Sequence, residues 1–110
     1  FYLKESLGIK TPIIKSSEFD LKGHKTDLIV ELCKELKADT YFSGVGGKLY
    51  MEEEKLKKND IKLIFSEFKH PVYSQRFAPF LENLSVIDLL FNYGPKSLEI
   101  INSCDKKSNP

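Results

Sequence analysis

Short apolar segments and amphipathic segments alternate along the first two thirds of the chain, and this alternation constrains the fold more than any other feature. Three apolar runs, residues 12–17, 40–44 and 61–68, have the length and composition of strands. The segments between them, residues 26–37 and 47–59, have the spacing and composition of helices. This order is that of two consecutive βαβ units. It predicts an α/β fold with a short parallel sheet, Rossmann-like and three-layered.

A helical segment is predicted to follow the sheet. Residues 83–95 have clear boundary signals, because Ser85 suits the N-cap and Asp88, three positions later, can complete a capping box. Gly94 is placed to end this helix. A last short helix is predicted over residues 96–103.

Length and composition suit one globular domain. The 110 residues are 41% hydrophobic and 30% charged, which is ordinary for a soluble protein. We expect residues 1–104 to form a single domain and the polar residues 105–110 to be a disordered tail. Because the first residue is Phe1 rather than Met, we expect the chain to be cut from a longer one.

Charge and cysteine content argue against several classes of function. The net charge is +1 and Arg76 is the only arginine, which disfavours nucleic acid as a partner. Cys33 and Cys104 lie far apart and outside any CxxC or Cys/His cluster. They indicate neither a disulfide framework nor a metal site, and they fit a reducing cytoplasm. The sequence contains no run of 18 apolar residues that would span a membrane.

Polar residues follow each predicted strand, and parallel strands would bring these residues to the edge where α/β sheets bind ligands. The second strand ends in the glycine turn, residues 43–47 (SGVGG). This turn is either a cradle of backbone N–H groups for an anion or a close-packed connection to a helix. It matches neither GxGxxG nor a P-loop, so both interpretations stay open. The candidate ligand-binding residues are Ser16, Ser17, Lys25, Ser43, Gly44, Gly46, Gly47, Tyr73 and Gln75.

The stretch HPVYSQ, residues 70–75, follows the third predicted strand and is called the His70 segment. A neutral imidazole at this edge is a candidate general acid or base, and a structural, half-exposed histidine is the alternative. Tyr73 and Gln75 share one side of an extended segment. We predict a pocket bounded by the glycine turn and the His70 segment.

Four stretches resemble, in their order, the WbqC-like protein family of bacteria: LGIKTPIIKSSEF, KTDLIVELCKELKADTYFSGVGGKLYM, HPVYSQ and FLENLSVIDLLFNYGPKSLEI. The chain resembles the C-terminal half of that family. The resemblance implies that the missing N-terminal half, or its equivalent, is a partner that packs on the open flank of the predicted pocket.

The resemblance also implies a role in the biosynthesis of O-antigen or another surface polysaccharide. The leading hypothesis is a cytoplasmic transferase of glycine or another acyl group that acts on a sugar intermediate, with a nucleotide-sugar or acyl donor. In this hypothesis His70 is the catalytic acid or base, Lys25 a counter-charge and the glycine turn an anion cradle. The alternative is a non-catalytic binding or scaffolding module of a glycan-assembly complex. The sequence names no cofactor or metal, and homo-oligomerisation stays open.

Overall fold

The computed structural model describes residues 1–104, which fall into two compact units. Residues 13–67 form one unit, called the sheet unit, and the described residues 1–12 and 68–104 form the other, called the loop unit. The predicted disordered tail, residues 105–110, lies outside the described residues. The expectation of a single domain stays a prediction.

The sheet unit contains a parallel pair of strands, β1 (Thr40–Ser43) and β2 (Lys62–Phe65). Their register runs from Thr40 opposite Lys62 to Ser43 opposite Phe65. Helix α3 (Glu53–Lys58) lies between the strands along the chain, which makes one βαβ unit. The predicted α/β class with a parallel sheet is thus confirmed. The Rossmann-like, three-layer arrangement stays a prediction, since the sheet has two strands within the described residues.

Residues 12–17 do not form the predicted first strand. Ser16–Glu18 form a 3₁₀ turn, and the two isoleucines of the run are about half exposed. An apolar run becomes a buried strand only where a neighbouring strand pairs with it and a layer covers it, and Pro12 has no N–H to donate to a ladder. Ser16 and Ser17 therefore do not end a parallel strand, which was the reason for predicting them at a ligand-binding edge.

The core of the sheet unit is apolar. Its buried residues are Val30 and Cys33 of α2 (Thr26–Glu35), Leu56 of α3, and Ile61 just before β2. Leu56 is completely buried. Burial raises the pKa of the Cys33 thiol, which agrees with the expected role of this cysteine as a small core residue.

The α-helix between β1 and β2 is shorter than the helix predicted over residues 47–59. A 3₁₀ turn spans Val45–Leu49, and α3 begins only at Glu53. The hydroxyl of Thr26, a fully buried residue at the start of α2, accepts a hydrogen bond from the Glu52 N–H at 3.1 Å. This bond fixes the point at which α3 begins.

The loop unit contains three helices: α1 (Tyr2–Ser6), α4 (Val86–Tyr93) and α5 (Ser97–Ser103). The predicted C-terminal helices are confirmed as α4 and α5. Ser85 caps α4, since its Oγ accepts a hydrogen bond from the Ile87 N–H at 3.3 Å. Gly94 ends the helix with a positive φ of 49°, as its predicted role requires. Among residues 1–104, no helix combines the length and apolar character needed to cross a membrane.

Candidate functional site

The Asp88 carboxylate organises the His70 segment. Its Oδ2 accepts two hydrogen bonds, one from the Tyr73 hydroxyl at 2.7 Å and one from Gln75 Nε2 at 3.0 Å. Residues 66–85 contain neither helix nor strand. The loop is therefore anchored by its hydrogen bonds to Asp88, which lies on α4. The sequence assigned this carboxylate to a capping box, and that assignment is wrong. Asp88 instead contacts side chains 13 and 15 residues earlier in the chain.

The Gln75 amide ties the segment to the far side of the loop. Its Oε1 accepts from the Leu81 N–H at 2.8 Å, and its Nε2 donates to the Leu81 carbonyl at 2.8 Å. Because Nε2 also donates to Asp88, this one side chain fixes the separation between residues 75 and 81 and anchors both to α4. Gln75 is therefore a positioning residue in this structure.

Tyr73 is buried, with 8% of its surface exposed, and its ring forms part of an aromatic cluster. The ring meets Phe80 and Tyr93 edge-to-face, with centroid distances of 5.4 and 5.9 Å. Burial, and then the bond to Asp88, raise the pKa of the Tyr73 hydroxyl. The Tyr93 hydroxyl accepts from the Ser74 N–H at 3.0 Å. Hydrogen bonding with Ser74, through its side chain and then its backbone, lowers the pKa of Tyr93.

His70 bridges two parts of the loop backbone. Its Nε2 accepts from the Asn83 N–H at 3.2 Å, and its Nδ1 lies 2.8 Å from the Pro71 carbonyl oxygen. This pattern assigns the hydrogen to Nδ1, as in a neutral imidazole. The ring also stacks on Tyr73 at 6.3 Å. Both ring nitrogens are thus engaged with backbone groups, and the acid/base role of His70 stays a prediction.

Described residues of the loop unit line a smaller and a larger cavity. The smaller, about 140 Å³, is mostly apolar and is bounded by His70, Pro71 and Tyr73 from the loop and by Leu89 from α4. The larger, about 450 Å³, is called the Arg76 groove and is lined by both charged and aromatic side chains. Its polar and aromatic lining consists of Gln75, Arg76, Phe77, Asp88, Phe91 and Asn92.

Asp88 keeps acceptor capacity toward a ligand in the Arg76 groove. While Oδ2 accepts two bonds, Oδ1 accepts a longer contact from Asn92 Nδ2, at 3.4 Å. Asn92 donates more closely to the Asp88 carbonyl, at 2.8 Å. A carboxylate offers about four lone-pair sites, so Oδ1 can accept a further hydrogen bond.

The sequence prediction included Tyr73 and Gln75, but it did not include Arg76, Asp88, Phe91 and Asn92, which line the same groove as Gln75. Asp88 and Asn92 are four residues apart on a predicted helix, a spacing that places them on one face. That spacing was the available signal. The loop geometry that brings Gln75 and Arg76 to the same groove has no local sequence pattern.

The glycine turn is held by packing in the sheet unit. Gly47 is buried, and a Cβ at this position would collide with Ser43 Oγ and approach Phe65 to 3.4 Å. The Gly47 N–H donates to the Gly44 carbonyl at 3.0 Å, and the Ser43 hydroxyl donates to that same carbonyl at 3.1 Å. A Cβ at Gly46 would meet open space. These contacts explain Gly47 by close packing and favour the tight-turn interpretation, while anion binding stays a prediction.

The remaining predicted residues belong to the sheet unit. Lys25 is exposed at the start of α2 with a φ of 53°. Ser16 and Ser17 are exposed, and Ser16 borders a largely apolar cavity of the sheet unit. The glycine turn belongs to the sheet unit and the His70 segment to the loop unit, so their shared pocket stays a prediction. Within residues 1–104, no group of three or more His, Cys, Asp or Glu side chains is arranged to hold a metal ion.

Fold and site together define a mixed α/β protein whose candidate site is a loop anchored on a helix by one carboxylate. The model of the WbqC-like protein family matches residues 1–100, and the chain belongs to that family. It is 28% identical over 99 residues to the uncharacterized protein Rv1507c of Mycobacterium tuberculosis. This match covers 89% of the chain but only 43% of the relative, so the chain spans less than half of that protein's length. No solved structure matches the chain.

Proposed function

We propose that the chain is part of a transferase of surface-polysaccharide biosynthesis, O-antigen included, and that it supplies the acceptor site for a sugar intermediate. The group transferred is glycine or another acyl group. Membership of the WbqC-like family supports the pathway, through the resemblance described above. The observation that carries the proposal is the Asp88 carboxylate, held by Tyr73 and Gln75 at 2.7 and 3.0 Å beside an open groove.

Acyl transfer to a sugar needs a base that accepts the proton of the attacking hydroxyl or amine. In the proposed step, Asp88 Oδ1 accepts this proton while the acceptor atom bonds to the carbonyl carbon of the donor. The bond from that carbon to the leaving group breaks, and the leaving group departs with its electron pair and takes up the proton from Asp88. Tyr73 and Gln75 hold Oδ2, and thereby orient Oδ1 toward the acceptor.

Asp88 suits the base role better than His70. The imidazole nitrogens of His70 both contact backbone groups, so proton transfer through either would break a bond that holds the loop. Asp88 can accept a proton at Oδ1 while Oδ2 keeps both of its partners. In the proposal His70 is therefore a positioning residue.

In the proposal, residues outside this chain contribute to the donor site. A nucleotide-sugar or acyl donor would bind where the rest of a family-length protein contributes, since the chain spans 43% of the relative it matches. The glycine turn stays the candidate for an anionic part of the donor, and a cytoplasmic location suits such a donor.

The proposal is tested by incubating a protein of the family's full length that contains this chain with nucleotide sugars and acyl donors, glycyl donors included, and detecting acylated sugar by mass spectrometry. Asp88→Asn is expected to lower the transfer rate by about 10²–10⁴-fold, the usual contribution of a general base. Asp60→Asn, which changes an exposed carboxylate of the sheet unit, is the matched control and should leave the rate unchanged. Ligand binding without transfer by any donor would instead support a non-catalytic binding module.

A further inference from the structure

Arg76, the only arginine of the chain, lines the Arg76 groove as an exposed side chain. Its Cζ lies 5.6 Å from the centroid of the Phe77 ring. This cation–π contact restricts the conformations of the Arg76 side chain. Arg76 therefore loses less conformational entropy when it binds a ligand. The guanidinium fork matches the oxygens of a phosphate or carboxylate, with which it forms paired hydrogen bonds.

Two aromatic side chains of the same groove are strongly exposed. Phe77 and Phe91 show 76% and 88% of their surface to solvent. Exposed apolar area concentrated in a concave surface is typical of a site that a ligand covers. Phe91 lies three residues after Asp88 on α4, so the ring and the carboxylate lie on neighbouring positions of one helix face.

Polar groups of the groove complete the pattern expected for a sugar ring. Asp88 Oδ1 can accept from a hydroxyl, and the Asn92 side-chain oxygen offers a second acceptor, while Asn92 Nδ2 donates to Asp88. A sugar ring has one or two apolar C–H faces with hydroxyls around its edge. The groove pairs an aromatic surface with a carboxylate and an amide, and its volume of about 450 Å³ is within the range of small-molecule sites.

We infer that the Arg76 groove binds a sugar phosphate. Arg76 contacts the phosphate, Asp88 and Asn92 contact the sugar hydroxyls, and Phe91 packs against the ring. The inference rests on the proposed function, whose sugar intermediate it specifies as a phosphorylated one. A neutral sugar would leave Arg76 unused, and free inorganic phosphate would leave Phe91 and Asn92 unused.

The test is an NMR titration of the protein with glucose 1-phosphate, with glucose and with inorganic phosphate as separate ligands. We expect glucose 1-phosphate to shift the amide signals of residues 75–77 and 88–92. Glucose and phosphate should each bind at least tenfold more weakly. Arg76→Ala should weaken glucose 1-phosphate at least tenfold, and Arg76→Lys, which keeps the charge but not the fork, should bind between the two.

Two control variants separate the groove from general surface effects. Lys96→Ala removes an exposed cation of the loop unit, and Phe1→Ala removes an exposed aromatic ring of that unit. Neither residue lines the groove, and both variants should bind like the wild type, whereas Phe91→Ala should bind at least fivefold more weakly.

The inference is overturned if glucose 1-phosphate shifts no groove signals. It is equally overturned if phosphate alone binds as tightly, or if Lys96→Ala weakens binding as much as Arg76→Ala does. A different result would contradict the proposed transferase function and leave the sugar-phosphate site intact. In that result glucose 1-phosphate binds through Arg76, but no donor yields an acylated product.

Discussion

The glycine turn and the His70 segment both follow a strand of the same small sheet, yet different interactions hold them. In the glycine turn, Gly47 packs against Ser43 and Phe65, and its N–H bonds to a carbonyl three residues earlier. The His70 segment is held by side chains, chiefly by hydrogen bonds to Asp88 on α4. The requirements of the fold thus account for Gly47, whereas the polar groups around Asp88 converge on a groove.

This difference shows which residues are worth testing for function. A glycine required by packing would be needed whether or not an anion binds there. A carboxylate that accepts two hydrogen bonds at Oδ2 and retains acceptor capacity at Oδ1 can both hold the loop and bind a ligand. Substitutions in the sheet unit and in the loop unit can therefore be used to test the two kinds of support separately.

The largest effect is expected from Leu56→Ala in the core of the sheet unit. Leu56 is completely buried, and removing its side chain leaves a cavity that should lower the free energy of unfolding by about 2–5 kcal/mol. Leu49→Ala, at a leucine that is 91% exposed, is the matched control and should change it by less than about 0.5 kcal/mol. Urea denaturation measures both variants. Similar effects at the two leucines would contradict the core described for this unit.

The next largest effect is expected from Tyr73→Phe in the loop unit. This variant keeps the aromatic ring but removes the hydroxyl that donates to Asp88 Oδ2. Hydrogen bonds to charged groups contribute about 1.5–3 kcal/mol, so the free energy of unfolding should fall by that amount. Tyr50→Phe, at a half-exposed tyrosine of the sheet unit, should change it little. Equal stability of Tyr73→Phe and the wild type would show that the Asp88 network does not hold the loop.

Gly47→Ala tests the packing interpretation of the glycine turn. The added Cβ collides with Ser43 Oγ, and overpacking of this kind costs about 1–3 kcal/mol. Gly46→Ala, where the Cβ meets open space, should lie within about 1 kcal/mol of the wild type. Adding Ser43→Ala to Gly47→Ala should restore part of the loss, because it removes the colliding oxygen. Equal effects at Gly46 and Gly47 in thermal denaturation would argue that packing does not determine the turn.

The smallest effect is a pH dependence at Glu31. Hydrogen bonds from the Gly23 and Lys22 N–H groups lower the pKa of this carboxylate below its usual 4.5. Since the folded-state pKa is the lower one, the stabilisation is complete above pH 4.5 and is lost as the pH falls through the folded-state pKa. Glu31→Gln should remove this part of the acid dependence, as followed by denaturation between pH 7 and 3. An unchanged acid dependence in the variant would assign it to other groups.

The sequence predicted those parts of the fold that depend on local signals. Ser85 and Gly94 set the ends of α4 through contacts within a few residues. Such local preferences for helix ends can be recognised in a single sequence. The apolar runs at β1 and β2 were correctly interpreted because each is bounded by turn residues and pairs with the other. Residues 12–17 look similar, but in the described structure no partner strand pairs with them, and the pairing of strands is not encoded in a single segment.

The site was predictable only in part. Tyr73 and Gln75 were singled out because they share one side of an extended segment. Their partner Asp88 was assigned to a helix cap, since a capping box is a local pattern and a contact over 13 to 15 residues is not. Arg76 attracted no prediction as a binding residue, because its place in the groove depends on the loop conformation.

Side chains, rather than backbone pairing, hold the His70 segment and the loop after it. Amide hydrogen exchange can measure this at Ser74, Leu81 and Asn83, whose N–H groups bond to the side chains of Tyr93, Gln75 and His70. We expect these three amides to exchange at least about tenfold more slowly than in an unfolded chain, although residues 66–85 contain neither helix nor strand.

Asp88→Ala should speed exchange at Ser74 and Leu81 and leave the Gly47 amide, which bonds to the Gly44 carbonyl, at its wild-type rate. Either of two results would show that side chains do not hold the loop: exchange of the three loop amides at unfolded rates in the wild type, or unchanged exchange of Ser74 and Leu81 in Asp88→Ala.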